Sequence, residues 1–158
     1  MDRIRQAVLL LTLTLTPLAG LADDFTLQVK NNLSPGATLY VAVYRAAHDS
    51  WEAQADYQLQ QRLPQSSTLS LPLAIPSGQY ALRAFVDIDD NKTLNTRSLG
   101  RPTEPFASSI GSGRTQPSIH FERSVLPLDA AHPSVTLTLS YPKAARSATP
   151  HSHSSDSH

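Results

Sequence analysis

The sequence predicts an all-β domain, an antiparallel β-sandwich of six to seven strands with one short helix. Its 158 residues include 12 prolines and 6 glycines, which interrupt the chain too often for long helices. Between these breaks, apolar and polar residues alternate in short segments, as they do in strands that bury one face. Six such segments with almost no intervening helix are typical of two packed antiparallel sheets.

The first two strands are predicted in residues 25–30 and 39–44. In residues 25–30 (FTLQVK) apolar and polar residues alternate. Residues 39–44 (LYVAVY) put a leucine and two valines on one face, and the turn Ser34–Gly36 lies between the two segments. Two alternating segments joined by a turn predict a β-hairpin.

The segment Asp49–Leu63 has a different pattern. Apolar residues recur at every fourth position from Trp51 to Leu63, which is close to the helical repeat. Asp49 and Glu52 have the spacing of a capping box, in which two side chains satisfy the first amides of a helix. The sequence therefore predicts a short helix in this segment.

The remaining strands lie in the second half of the domain. Residues 69–73 alternate leucine with polar residues or proline, and Pro72 predicts an edge strand because proline has no N–H to donate. Residues 80–87 (YALRAFVD) are apolar on both faces for most of their length, which predicts a central strand. Further strands are predicted at residues 119–121 and 135–141.

The N-terminal residues have the layout of a secretory signal peptide. Arg3 and Arg5 precede an apolar run over residues 7–18, and Gly20–Ala22 supplies small residues for cleavage. The run is shorter than the ~20 residues that span a bilayer, so we expect no stable membrane insertion after cleavage. The predicted organisation is a signal peptide over 1–22, a β-sandwich domain over 23–142 and a disordered tail over 143–158. The mature protein is expected in the periplasm or secreted.

Charge and cysteine content exclude several classes of function. The chain has 13 basic and 13 acidic residues and no cysteine. A balanced charge gives no basic surface for nucleic acid, so we expect no nucleic-acid partner. The absence of cysteine excludes disulfides, thiolate metal sites and a thiol nucleophile.

The chemically distinctive stretch is the acidic loop over residues 87–95, which opens a long segment from 89 to 117 with no evident strand. Side-chain oxygens recur in the loop at alternate positions, where a turning backbone directs them inward as calcium ligands. We predict a weak calcium site, and we expect that the protein requires no cofactor. Its predicted ligands are Asp87, Asp89, Asn91, Thr93 and Asn95. Glu104 is predicted as a late ligand that the Gly100-x-Pro102 turn brings back to the loop.

The acidic loop departs from an EF-hand at two positions. Lys92 stands where an EF-hand has glycine, and Ser98 stands where it has a bidentate glutamate. The alternative is a polar connection between strands, in which Asp and Asn hydrogen-bond their own backbone. The loop carboxylates, including that of Asp90, could also serve with Glu104 as the carboxylate pair of a glycoside hydrolase.

The C-terminal residues 143–158 are rich in serine and histidine. The imidazoles of His151, His153 and His158 could gather around zinc, copper or nickel. The alternative is a solvated tail, because nothing in such a segment holds the ligands in place before the metal binds.

Three spaced motifs follow one another in the second half of the domain. They lie at residues 76–81 (PSGQYA), 85–95 (FVDIDDNKTLN) and 100–104 (GRPTE). This pattern resembles a family of small exported bacterial proteins known only as a domain of unknown function. The family is similar to transthyretin-like and carboxypeptidase-regulatory-like β-sandwiches, which are Ig-like in architecture. The resemblance therefore implies a β-sandwich fold and an exported location.

Three positions depart from the pattern of that family. Val86, Lys92 and Asn95 stand where the family has histidine, glycine and aspartate. These departures remove a ligand, a permissive backbone position and a charge from a cation site. The family name assigns no activity.

The sequence therefore predicts an exported, non-catalytic binding module for an unknown protein or small molecule, which acts through its loops or a sheet face. Two alternatives remain open. One is a periplasmic metal-handling protein that uses the histidine-rich tail and the acidic loop. The other is a hydrolase that uses the loop carboxylates.

Overall fold

The computed structural model describes residues 22–110 and 120–142, and these residues are built almost entirely of β-strands. The strands are β1 (Asp23–Lys30), β2 (Thr38–Arg45), β3 (Tyr57–Arg62), β4 (Thr68–Ile75), β5 (Gly78–Asp87), β6 (Thr96–Arg97), β7 (Arg101–Pro102), β8 (Phe106–Ser108), β9 (Val125–Leu128) and β10 (Ser134–Thr138). Helical turns occur at Ala46–His48, Ser98–Gly100 and Phe121–Ser124, the last named α1. The predicted all-β class is confirmed.

Two parts of the predicted organisation lie outside the described residues. They are the signal peptide, of which only Ala22 is described, and the whole tail over 143–158. Both stay predictions. No helix of residues 22–110 or 120–142 is long and apolar enough to cross a bilayer.

The strands form two main sheets. The smaller sheet has the order β10-β1-β4, and the larger has the order β3-β2-β5-β8, with β9 also paired to β5. Every pairing is antiparallel except that of β1 with β10, which is parallel. The prediction of an edge strand at Pro72 is confirmed, because β4 lies at the edge of the smaller sheet. The prediction of a central strand at 80–87 is also confirmed, because β5 lies between β2 and the pair β8 and β9.

The core lies between the two sheets, because the alternating apolar side chains of each sheet face the other. In β1, β2 and β5 alternate residues are almost fully buried, which removes their apolar surface from water and stabilises the fold. One cluster contains the largest buried side chains of both sheets, including Leu27, Leu39, Leu73, Ile75, Tyr80, Leu82, Leu128, Leu137 and Leu139.

The predicted hairpin between the first two strands is wrong. β1 pairs with β4 and β10, whereas β2 pairs with β3 and β5, so the connection between them crosses from one sheet to the other. Asn31 adopts a left-handed conformation with φ 62°, and the buried Asn32 donates from Nδ2 to the carbonyls of Pro64 and Ser66, each at 2.8 Å. Alternation marks both strands correctly, but it does not state which sheet each strand joins.

The predicted helix over Asp49–Leu63 is also wrong. The segment forms turns that lead into β3, where half-buried Tyr57 and Leu59 alternate with exposed glutamines. A repeat of four residues fits a helix approximately, but it is also twice the two-residue period of a strand. Leu59 and Leu63 therefore lie toward the core as strand and turn residues.

Three shorter predictions are corrected. The strand expected at 119–121 is absent at Phe121, which begins α1, while Ile119 lies outside the described residues. The segment expected to lack strands contains β6, β7 and β8, which have two or three residues each and are too short to show alternation. The last strand ends at Thr138, earlier than expected, and Ser140 forms an isolated bridge with Phe106.

The turn before β3 is fastened by the carboxylate of Asp56. Its Oδ2 atom accepts a hydrogen bond from the backbone N–H of Arg45 at 2.7 Å and lies 2.9 Å from Nε2 of His48. Burial alone would raise the pKa of Asp56. The Arg45 amide, the His48 ring and the Arg45 guanidinium oppose burial and hold that pKa below its ordinary value of 3.8. The ionised carboxylate therefore stabilises the fold.

We expect Asp56→Asn to lower the free energy of unfolding by about 1 kcal/mol at pH 7. The wild type should be more stable than the variant above pH ~3.8. This difference is lost as the pH falls through the lower pKa of folded Asp56, because the protonated carboxyl is then as neutral as the asparagine amide. Urea unfolding from pH 7 to pH 2.5 measures this difference. Asp24→Asn, at an exposed position of β1 with no side-chain bond to another described residue, is the control. An Asp56→Asn deficit that stays constant with pH would contradict the prediction.

Candidate metal centre

The acidic loop begins at a buried carboxylate that the central strand holds in place. Asp87 is the last residue of β5 and is only 2% exposed. Its Oδ1 accepts a hydrogen bond from the backbone N–H of Asn91 at 3.1 Å, and its Oδ2 accepts one from Lys92 at 2.8 Å. The chain therefore turns around the Asp87 side chain. Hydrogen bonds to an ionised acceptor are roughly twice as strong as neutral ones, so this carboxylate is a strong organiser of the loop.

Two residues of the turn adopt left-handed backbone conformations, Asp90 with φ 61° and Lys92 with φ 62°. This conformation costs a side chain such as that of lysine about 1–2 kcal/mol, whereas glycine adopts it without penalty. The position where an EF-hand has glycine thus keeps a glycine-like backbone here despite the lysine. The hydrogen bond from its N–H to Asp87 offsets part of that strain.

Glu104 returns to the loop through the small hairpin of β6 and β7. Gly100, with φ 66°, lies at the turn of this hairpin. The Glu104 side chain is 4% exposed, and its two oxygens accept hydrogen bonds from Ile88 N at 2.8 Å and Asn95 N at 3.0 Å. One carboxylate therefore connects the two ends of the loop.

Three of the six predicted loop ligands converge. Carboxylate oxygens of Asp87, Asp89 and Glu104 all lie within 4.8 Å of one another. Two oxygens that each contact one calcium ion at about 2.4 Å can be at most ~4.8 Å apart, so the separation fits a shared ion. No lysine, arginine or histidine in the described part of the chain forms an ion pair with these carboxylates.

The other predicted ligands are placed differently. The Nδ2 groups of Asn91 and Asn95 donate to Oδ2 of Asp89, at 3.1 and 2.8 Å. Oδ1 of Asn91 accepts a hydrogen bond from the backbone N–H of Thr93 at 2.8 Å. Amide nitrogens, instead of amide oxygens, therefore face the Asp89 carboxylate, and both amides would have to rotate to coordinate a cation.

The carboxylates can bind a cation without losing their hydrogen bonds. An ionised carboxylate offers roughly four lone-pair positions, and Asp87 and Glu104 each use two of these for backbone amides. Asp90 lies outside the converging group, and His151, His153 and His158 lie outside the described residues. The hydrolase and the tail-based metal site stay predictions.

The sequence did not predict the backbone contacts that hold the two ends of the loop against residues 103–105. Thr103 donates to the carbonyl of Asn95 twice, from its backbone N–H at 2.8 Å and from Oγ1 at 3.1 Å. The backbone of Val86 donates to the carbonyl of Pro105 at 2.8 Å. The Gly100-x-Pro102 turn was the available signal for a returning strand, but it carries no information about these partners.

We expect Asp87→Ala to lower the free energy of unfolding by about 1–3 kcal/mol, because two amides near a buried side chain lose their acceptor. The specific readout is hydrogen exchange at the amides of Asn91 and Lys92, which should become faster. Asp90→Asn is the matched control, since it removes the neighbouring charge and asparagine tolerates the left-handed conformation. Unchanged exchange at both amides would contradict the role given to Asp87.

The comparison with protein families agrees with the motifs. A family model described as "Uncharacterized protein conserved in bacteria (DUF2141)" matches residues 27–136, which run from β1 to β10 and include the whole acidic loop. No curated protein and no solved structure matches the chain. The resemblance predicted from the three motifs is thereby confirmed. The chain belongs to the DUF2141 family of uncharacterized proteins conserved in bacteria.

Proposed function

We propose that the protein is an exported, non-catalytic β-sandwich binding module whose acidic loop over residues 87–95 binds calcium weakly together with Glu104. The observation that carries the cation part of this proposal is the convergence of Asp87, Asp89 and Glu104 with no cationic partner among the described side chains. Mutual repulsion of three carboxylates is relieved when a cation binds between them.

The arrangement supports a weak site. Calcium takes six to eight oxygen ligands, and three carboxylates supply only part of that number. The ammonium of Lys92 also belongs to the same loop and opposes a cation. We therefore expect a dissociation constant of roughly 10⁻⁴–10⁻³ M, the range of extracellular modules.

The exported location rests on the N-terminal sequence. Arg3 and Arg5, the apolar run and the small residues before Asp23 are the three parts of a cleavable signal. A domain without cysteine suits either redox environment, so its stability in the periplasm would depend on the buried core.

A calcium concentration of 10 mM is about 10–100 times the expected dissociation constant. It should therefore raise the free energy of unfolding by about 1.4–2.7 kcal/mol. Thermal melts in calcium, in magnesium at equal ionic strength and in chelator measure the effect. Asp89→Asn should reduce the calcium shift to less than half, because its exposed side chain is a ligand that does not hold the backbone. Asp90→Asn removes an equal charge one residue away and should keep the shift. A wild type with no calcium-specific shift, or equal losses in the two variants, would overturn the cation site.

Export should remove residues 1–22. Mass spectrometry of the protein purified from the periplasm or medium of its native host should show a chain that begins at Asp23. Substitution of Ala22 with a bulky residue should slow cleavage, because signal peptidase requires a small residue there. A full-length chain in the cytoplasm would contradict the exported function without affecting the calcium test.

A further inference from the structure

A groove of about 530 Å³ lies on the outer face of the larger sheet, on the side away from the core. Its lining includes Tyr40, Ala42, Arg83 and Phe85. Ala42 has the smallest side chain of these four and is called the floor of the groove. Residues 92–94 of the acidic loop line one end of it. The volume lies within the 300–1,000 Å³ that is usual for small-molecule sites.

The register of the strands explains why the groove exists. Ala42 lies opposite Gln58 on β3 and opposite Arg83 on β5. Two residues away on the same face, Tyr40 and Phe85 are cross-strand partners whose rings stack at 5.2 Å between centroids. A methyl group between rows of larger side chains leaves a depression, because outward residues recur every second position.

The groove carries positive charge. The Arg83 guanidinium lies over the ring of Tyr44 at 5.1 Å and over that of Trp51 at 5.4 Å. Stacking of this kind uses the faces of the guanidinium and leaves its in-plane N–H donors available. Neither Arg83 nor Lys92 forms an ion pair with a carboxylate in the described ranges. Two cations, a stacked aromatic pair and the amide of Gln58 thus line one cavity.

We infer that this groove binds a small organic anion that carries a ring. The ring would pack against Tyr40 and Phe85, which are both half-buried, and over Ala42. The acid group would accept hydrogen bonds from Arg83, and the ammonium of Lys92 would attract its negative charge. An aromatic surface gives affinity through burial, and a charged, forked donor gives orientation and selects carboxylate, sulfate or phosphate over neutral groups.

This inference names the ligand class of the binding module, so it rests on that part of the proposed function. Its main contacts, with Arg83, Tyr40 and Phe85, come from strands β2 and β5 and not from the carboxylates of the loop. Titrations in chelator and in calcium therefore separate a failure of the groove from a failure of the cation site.

The probe is naphthalene-2-carboxylate, whose fluorescence reports binding, and the matched neutral probe is naphthalene-2-carboxamide. The purified protein should bind the carboxylate about tenfold more tightly than the amide, as expected for one charge-assisted hydrogen bond. Arg83→Gln should remove most of that preference. Ala42→Leu should weaken both probes, because its side chain fills the floor. Arg101→Gln, an exposed arginine outside the groove, should change neither.

Circular dichroism establishes that each variant is folded. If Ala42→Leu does not fold, Arg83→Gln and Lys92→Gln carry the test through the loss of preference for the carboxylate. Equal affinity for the two probes in the wild type, or the same preference in wild type and Arg83→Gln, would overturn the inference. Absence of carboxylate binding at millimolar concentration would overturn it as well.

Discussion

The rest of the structure depends on one constraint, the pairing of strand β5 with other strands along both of its edges. β5 is hydrogen-bonded on one side to β2 and on the other to β8 and β9. Successive side chains of a strand point to opposite faces. Tyr80, Leu82, Ala84 and Val86 therefore enter the core, while the residues between them face outward. The position of β5 in the core therefore also determines where its outward-facing side chains, including Arg83 and Phe85, lie.

The outward face of β5 places the two candidate sites next to each other. Arg83 and Phe85 line the groove, and Asp87 follows at the end of the strand, where it turns the chain through its two amide contacts. Residues 92–94 of that turn then form an end of the groove. Arg83 and Phe85 lie where β5 pairs with β2 on one side and with β8 on the other, which limits the backbone freedom at both positions.

The local patterns predicted the strands better than they predicted their partners. Alternation identified β1, β2, β4 and β10, because burying one face leaves a two-residue period, and a run that is apolar on both faces identified β5. The four-residue repeat over Asp49–Leu63 led to a wrong helix, because such a repeat fits a strand and a helix alike. Alternation also failed at the first connection, because it is the same whether two neighbouring strands share a sheet or cross between sheets.

The candidate sites show the same limit. The loop carboxylates Asp87 and Asp89 are close in sequence, so their spacing alone predicted that they converge, and a turn signal predicted the return of Glu104. The rotation of the Asn91 and Asn95 amides toward Asp89 depends on hydrogen-bond geometry that spacing does not encode. The groove depends on the register that sets Ala42 between Gln58 and Arg83. That register is a long-range property, because these residues meet only after two strand pairings have formed.

The net charge of the chain is zero, but acidic and basic side chains cluster at different places near the acidic loop. The chain has as many basic as acidic side chains, 13 of each. Around the loop, however, Asp87, Asp89 and Glu104 form a cluster of carboxylates, whereas Lys92 and Arg83 line the groove. Each group lacks an ion-pair partner among residues 22–110 and 120–142. Like charges that lack an ion-pair partner repel one another, and this repulsion is the physical basis of the two proposed sites and of the opposite sign of the ligand proposed for each.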